Sequence, residues 1–346
     1  MRNLLVLALL ATSAAADGVH ISGTITGPDG KPSPGADFGA EWNNRGGKLL
    51  PLQTWKPGAD GGYANEIFWI KRPMALVAMD AARKNGAMVV LEEKDITNPL
   101  KIDLKMAPLA EVSGVLACPT IGPSLGTTTI IVEARPSGAR VVRMTLKDDK
   151  FTVPLPPGEF EALAVAYDAR EFRKPFKVED GGKPVDLGTL ELEPTAIAKA
   201  WGKAPPAFAA TSARGTEAGV KLTDLKGKWV LVVFWGSAMD DATRVIFPRL
   251  KDLLARRKDD VSKFAILALH DPTAKTWAEY DAKIAKVKAG PWGGEDPPFP
   301  VLLDSTGETW KAWGIETLPV MVLIDPDGNV VRAGNDRMLE EKLNVK

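Results

Sequence analysis

The chain has 346 residues, with 44 lysines and arginines against 44 aspartates and glutamates, and a single cysteine. Balanced charge without a basic run argues against a nucleic-acid-binding or anionic-membrane surface, and one cysteine excludes an internal disulfide or dithiol. The length is that of about two or three domains, ample for sizeable cores.

Residues 1–16 read as a secretory signal: Arg2, an apolar run over 4–11, then Ala14, Ala15 and Ala16 ahead of Asp17. The run is too short to span a bilayer. The expectation is an exported chain, periplasmic or extracellular, beginning near Asp17 and without a transmembrane segment after cleavage; an uncleaved N-terminal anchor is the competing reading.

From Val19 the sequence alternates as a strand, HISGTIT over 20–26, and turns at GPDG over 27–30. With the following KPSPGA (31–36), this resembles the opening of carboxypeptidase-regulatory-like β-sandwich modules. The resemblance implies about seven short antiparallel strands. Trp42, Trp69 and the apolar runs at 75–80 and 87–91 are candidates for the core, and the module is placed at residues 17–107.

A second all-β module is expected at 108–195, where short apolar runs recur at 128–133, 141–146, 151–155, 160–166 and 185–192 between Pro and Gly. Both stretches open on a similar tripeptide, ISG at 21–23 and VSG at 112–114, a weak sign of a repeat. Their favoured role is scaffold or spacer, ahead of carbohydrate or peptide binding. Cys118 ends a VLAC tetrapeptide (115–118) like a lipoprotein acylation box, but it lies too deep in the chain for one and reads as a buried or merely tolerated single thiol.

Near Ala200 the pattern changes. GKAPPAF (202–208) resembles the entry of redoxin domains, and residues 220–227 fit a hairpin ahead of the apolar run 230–235, which lacks alternation as a central strand covered on both faces does. A helical stripe follows with Val245, Ile246, Arg249, Leu250, Leu253 and Leu254, interrupted by Pro248. Further on come an apolar run 264–270, a helix over 273–288, a Gly/Pro-rich loop 290–298, a strand 299–304, a short helix 308–313 and a hairpin from 320–325 into 329–332. GKWVLVVFWGSAMDDA (227–242) resembles the TlpA/ResA-type thioredoxin-like proteins, whose segment reads roughly GKxVLVNFWATWCPPC. The resemblance implies an α/β thioredoxin-like domain over 200–346, so the expected fold is multidomain: two all-β sandwich modules followed by this α/β domain.

On the same pattern Met239 stands at the first cysteine and Ala242 at the second. Thiol–disulfide exchange needs a thiolate and a resolving thiol, and neither side chain provides one. No catalytic residue, metal or cofactor is therefore assigned. The resemblance also makes GIETLP (314–319) the loop whose proline is cis and borders the substrate groove. Groove candidates are Trp235, Asp240, Asp241, His270, Thr317, Leu318 and Pro319, and the partner class is an extended peptide or an envelope protein. Against this, Asp240 and Asp241 fit simple charge compensation at a helix start, with Ser237 and Asp240 at capping-box spacing, and Pro319 fits a plain turn. A His270–Asp240–Asp241 metal or acid–base cluster is disfavoured because the chain has two histidines and no metal-binding spacing. Three readings stay open: a binding protein that has lost dithiol activity, an oxidoreductase using a residual route such as Cys118, and a structural envelope protein.

Overall fold

The computed structural model describes residues 17–45, 48–122, 125, 127–237, 241–316 and 318–344. The expected signal segment 1–16, Met239, Asp240 and Thr317 lie outside the described residues, as do the side chains of Asp241 and Ala242. The chain forms two compact units that divide between Glu193 and Pro194.

The N-terminal unit is built of strands. Asp17–Thr26 pairs antiparallel with Gly62–Trp69 and parallel with Leu100–Lys101 and Leu104–Lys105. Its alternation turns Val19, Ile21 and Ile25 inward, where they meet Phe38, Leu76 and Ala78 from a second sheet of Asp37–Ala40, Met74–Met79, Asn85–Leu91 and Ala107–Pro108. The glycine of the ISG tripeptide has a steric cause: a Cβ on Gly23 would lie 1.8 Å from the Ile102 carbonyl oxygen. Phe38 packs on Tyr63 at 4.7 Å and on Trp55 at 5.5 Å between ring centroids. Asp37, largely buried, is ion-paired to both Lys56 and Arg83, and the Arg83 guanidinium also lies 4.8 Å over the Trp42 ring.

Ala110–Ala117 is flanked by Lys150–Leu155 and Val185–Glu191. The remaining sheet has six strands, in the order Ala169–Val178, Gly158–Ala166, Thr128–Ala134, Ala139–Leu146, Trp42–Arg45 and Lys48–Pro51. Trp42 pairs with Val142 and Asn43 with Arg143 in parallel. This sheet takes strands from both sides of the module boundary expected between 107 and 108, so the two β stretches form one compact unit.

The C-terminal unit is a five-stranded sheet. Its strands are β1 (Ser212–Arg214), β2 (Trp229–Trp235), β3 (Phe264–His270), β4 (Val301–Leu303) and β5 (Val320–Ile324), arranged β1-β4-β3-β2-β5. β2, β3 and β4 are parallel, while β1 and β5 run antiparallel to their neighbours. β2 is apolar throughout because both faces are covered. Leu231, Val233 and Trp235 pack on one side with Leu250, Tyr280 and Leu339, and Val230, Val232 and Phe234 on the other with Trp310 and Trp313.

Among the described residues, five α-helices flank or precede the sheet: α1 (Ala196–Lys199), α2 (Phe247–Arg256), α3 (Trp277–Ala289), α4 (Glu308–Trp313) and α5 (Asp336–Leu343). Three expectations change here. The stripe after 241 begins as a π-helical turn, Asp241–Ile246, and the α-helix starts only at Phe247, so Pro248, which has no N–H to donate, directly follows the widened turn. The wider turn shifts the phase, so Val245 faces solvent at 43% exposure. Residues 222–225 form a short 3₁₀ turn in place of a hairpin, and the hairpin after β5 is short: Val330 bridges to Ile324, the Asp325 N–H donates to the Asn329 carbonyl at 2.9 Å and the Val331 N–H to the Leu323 carbonyl at 2.8 Å, before the chain enters α5.

Candidate functional site

Three segment ends meet at the carboxyl end of β2. Trp235 is in register with His270, the Asp271 N–H donates to the Trp235 carbonyl at 2.8 Å, and Phe234 pairs with Val320, which follows Pro319 directly. The Leu318–Pro319 peptide is cis. Gly236 marks the point of convergence: a methyl group there would stand 2.3 Å from Asp271 Oδ2 and 3.3 Å from Leu318 Cδ1. A Cβ here would displace the Asp271 carboxylate from its position. That carboxylate is 19% exposed, and its Oδ1 accepts from the Thr273 N–H at 3.0 Å and from the Thr273 hydroxyl.

The groove candidates separate by depth. Trp235 and His270 are wholly buried and form a floor, whereas Leu318 and Pro319 are half-buried beside Gly236. Trp235 contacts Phe247 at 4.5 Å and His270 edge-on at 4.8 Å between centroids. The His270 ring donates from Nδ1 to the Asp271 carbonyl at 2.9 Å. Burial pushes its pKa below the ordinary 6.5, with Lys283 acting in the same direction and the adjacent Asp271 opposing. His270 is therefore neutral at pH 7 and sealed from solvent. Asp271 and Gly236 are the members of this corner that sequence reasoning missed. The Gly236 that interrupts an apolar-to-acidic transition was the available signal, since close approach of another group is one of the reasons a strand ends on glycine.

Among the described residues, no group of three His, Cys, Asp or Glu side chains is placed to hold a metal ion. Cys118 is 2% exposed and lies in the N-terminal unit, lining a pocket with Leu116, Pro119, Leu125 and Asp149. Among the described residues, no helix is long and apolar enough to cross a membrane.

The AhpC/TSA family model matches residues 201–333. The thiol-disulfide oxidoreductases ResA of Bacillus thuringiensis subsp. konkukian and of Bacillus cereus are each 30% identical to the chain over 147 residues, covering 41% of it and 73% of their own length. ResA of Bacillus subtilis is 27% identical over 124 residues, 36% of this chain and 62% of that protein. Among solved structures, a DsbE-type thiol:disulfide interchange protein from Chlorobium tepidum is 25% identical, covers 36% of this chain and 83% of its own, and superposes with a TM-score of 0.28. StoA from Bacillus subtilis is 21% identical over 37% of this chain and 87% of its own, with a TM-score of 0.29. Its redoxin-like part places the chain in the family of the ResA proteins.

Proposed function

We propose that the chain is an exported member of this family that has given up dithiol chemistry and uses the corner at Gly236, Asp271 and Leu318–Pro319 to hold an extended peptide segment of another envelope protein. The observation that carries the reading is the cysteine count: one thiol cannot attack a disulfide and then resolve the mixed disulfide within the same chain. The relatives' name, thiol-disulfide oxidoreductase, supports descent from a redox domain, and Met239 and Ala242 stand where the resemblance puts the two cysteines. Burial of Cys118 weighs against a residual route through it. The signal-like residues 1–16 support export.

Binding through such an edge uses the backbone beside Leu318 for strand-like pairing and the surrounding side chains for selection. Fluorescence titration of labelled extended peptides lacking cysteine, against the full chain and Leu318→Glu, tests it. The reading expects saturable binding that the charged side chain weakens at least tenfold, with no change in thermal unfolding that would explain the loss. Equal affinity for both chains removes this corner from the account.

A further inference from the structure

Among the described residues, the buried side-chain polar atoms without a hydrogen-bond partner are Trp235 Nε1, His270 Nε2 and Tyr280 Oη. All three belong to one aromatic cluster. Ring centroids are 4.8 Å apart for Trp235 and His270, 5.2 Å for His270 and Tyr280, and 6.1 Å for Trp235 and Tyr280, with interplanar angles of 88°, 83° and 89°. An unpartnered polar atom in such a place costs free energy on the scale of a lost hydrogen bond, and three on neighbouring rings of one cluster are unusual in a folded protein.

Their hydrogen-bonding roles follow from the bonds already made. The Asp271 carbonyl oxygen can only accept, so His270 Nδ1 carries the proton in the 2.9 Å bond to it. With the ring neutral, Nε2 is left as a bare acceptor. The Trp235 indole offers a donor, and the Tyr280 hydroxyl offers either role. One acceptor, one donor and one group of either kind are the complement of a single water molecule, which needs two to four polar partners to be held inside a protein.

We propose that Trp235 Nε1, His270 Nε2 and Tyr280 Oη, below the carboxyl ends of β2 and β3, share one internal water. The water donates to His270 Nε2, accepts from the Trp235 N–H and takes the Tyr280 hydroxyl as its third partner. It fixes the Nδ1–H tautomer of His270. Through the Asp271 carbonyl it thereby holds the turn whose carboxylate stands over Gly236.

NMR on the full-length ¹⁵N-labelled chain tests the site in the protein as it stands. His20→Gln removes the second histidine, which is exposed on a strand of the N-terminal unit, and leaves one imidazole to assign. The expected result is a neutral ring protonated at Nδ1, together with a dipolar cross-peak between the Trp235 indole proton and a slowly exchanging water. A crystal structure that resolves ordered solvent gives an independent reading, a water within hydrogen-bond distance of His270 Nε2 and of at least one of the other two atoms. A proton on Nε2, an indole N–H without a water contact, or a crystal with no water at these atoms overturns the proposal.

Discussion

His270 makes the stability of the C-terminal unit depend on pH in a definite direction. Its folded pKa lies below the 6.5 of an exposed imidazole, so the unfolded chain binds the extra proton first. The contribution is complete above about pH 7 and is lost as pH falls through 6.5 towards the folded value. Thermal unfolding between about pH 7.5 and 5.5 is expected to show this loss, and His270→Phe to flatten it. An unchanged slope in the variant counts against the assignment. Asp37 acts in a separate window. Burial raises its pKa, but the ion pairs with Lys56 and Arg83 outweigh that and hold it below 3.8, so its stabilisation fails only in more acid solution. Gly236 offers a second test at the same scale. Gly236→Ala puts a methyl group against the Asp271 carboxylate and is expected to cost about 1–3 kcal/mol. In an Asp271→Ala background the cost is expected to shrink, and a urea-unfolding double-mutant cycle with no coupling would remove the contact from the account.

The helices are tied to the sheet unevenly. The Arg249 guanidinium grips the nearly buried Asp336 carboxylate with Nε at 2.5 Å and Nη2 at 3.0 Å, joining α2 to the first turn of α5. Asp336→Ala is expected to lower stability by about 1–3 kcal/mol. Lys251→Ala removes an ion pair to Glu295 in which both side chains are more than half exposed, and no measurable change is expected. Equal losses in the two variants, read by chemical denaturation, would show that α5 does not depend on this contact. Element type was legible wherever one local pattern decided it. β2 announced itself as an apolar run without alternation, and α4 was placed at its observed bounds. The sequence reading ended the hairpin at 332 and assigned no element to α5, although Asn335 caps it by accepting from the Met338 N–H at 2.9 Å. The π-helical turn was hidden because a stripe of apolar residues does not reveal a change of helical pitch.

Longer-range order was less accessible. Pairing of Trp42 with Val142 joins segments far apart in sequence, and neither strand carries a local sign of its partner, so a boundary was expected inside what is one compact unit. At the candidate site Trp235 was legible as a core or groove-wall residue and His270 as its neighbour at one sheet edge, but the full burial of His270 was not, since depth depends on helices packed from elsewhere. The sequence left Cys118 as either a buried or a tolerated single thiol, and at 2% exposure it is buried. The native chain is therefore expected to resist a thiol reagent that titrates one group after unfolding; rapid labelling of the native state would contradict that burial.

The proposed function requires that this ResA-like domain no longer supports disulfide exchange, which an insulin-reduction assay reads out. Full-length protein is mixed with insulin and a dithiol, and the rate of insulin reduction is compared with the dithiol alone and with the Cys118→Ser variant. The account expects all three rates to coincide, because one cysteine provides no resolving thiol. Turnover above the dithiol alone that disappears in Cys118→Ser would contradict it.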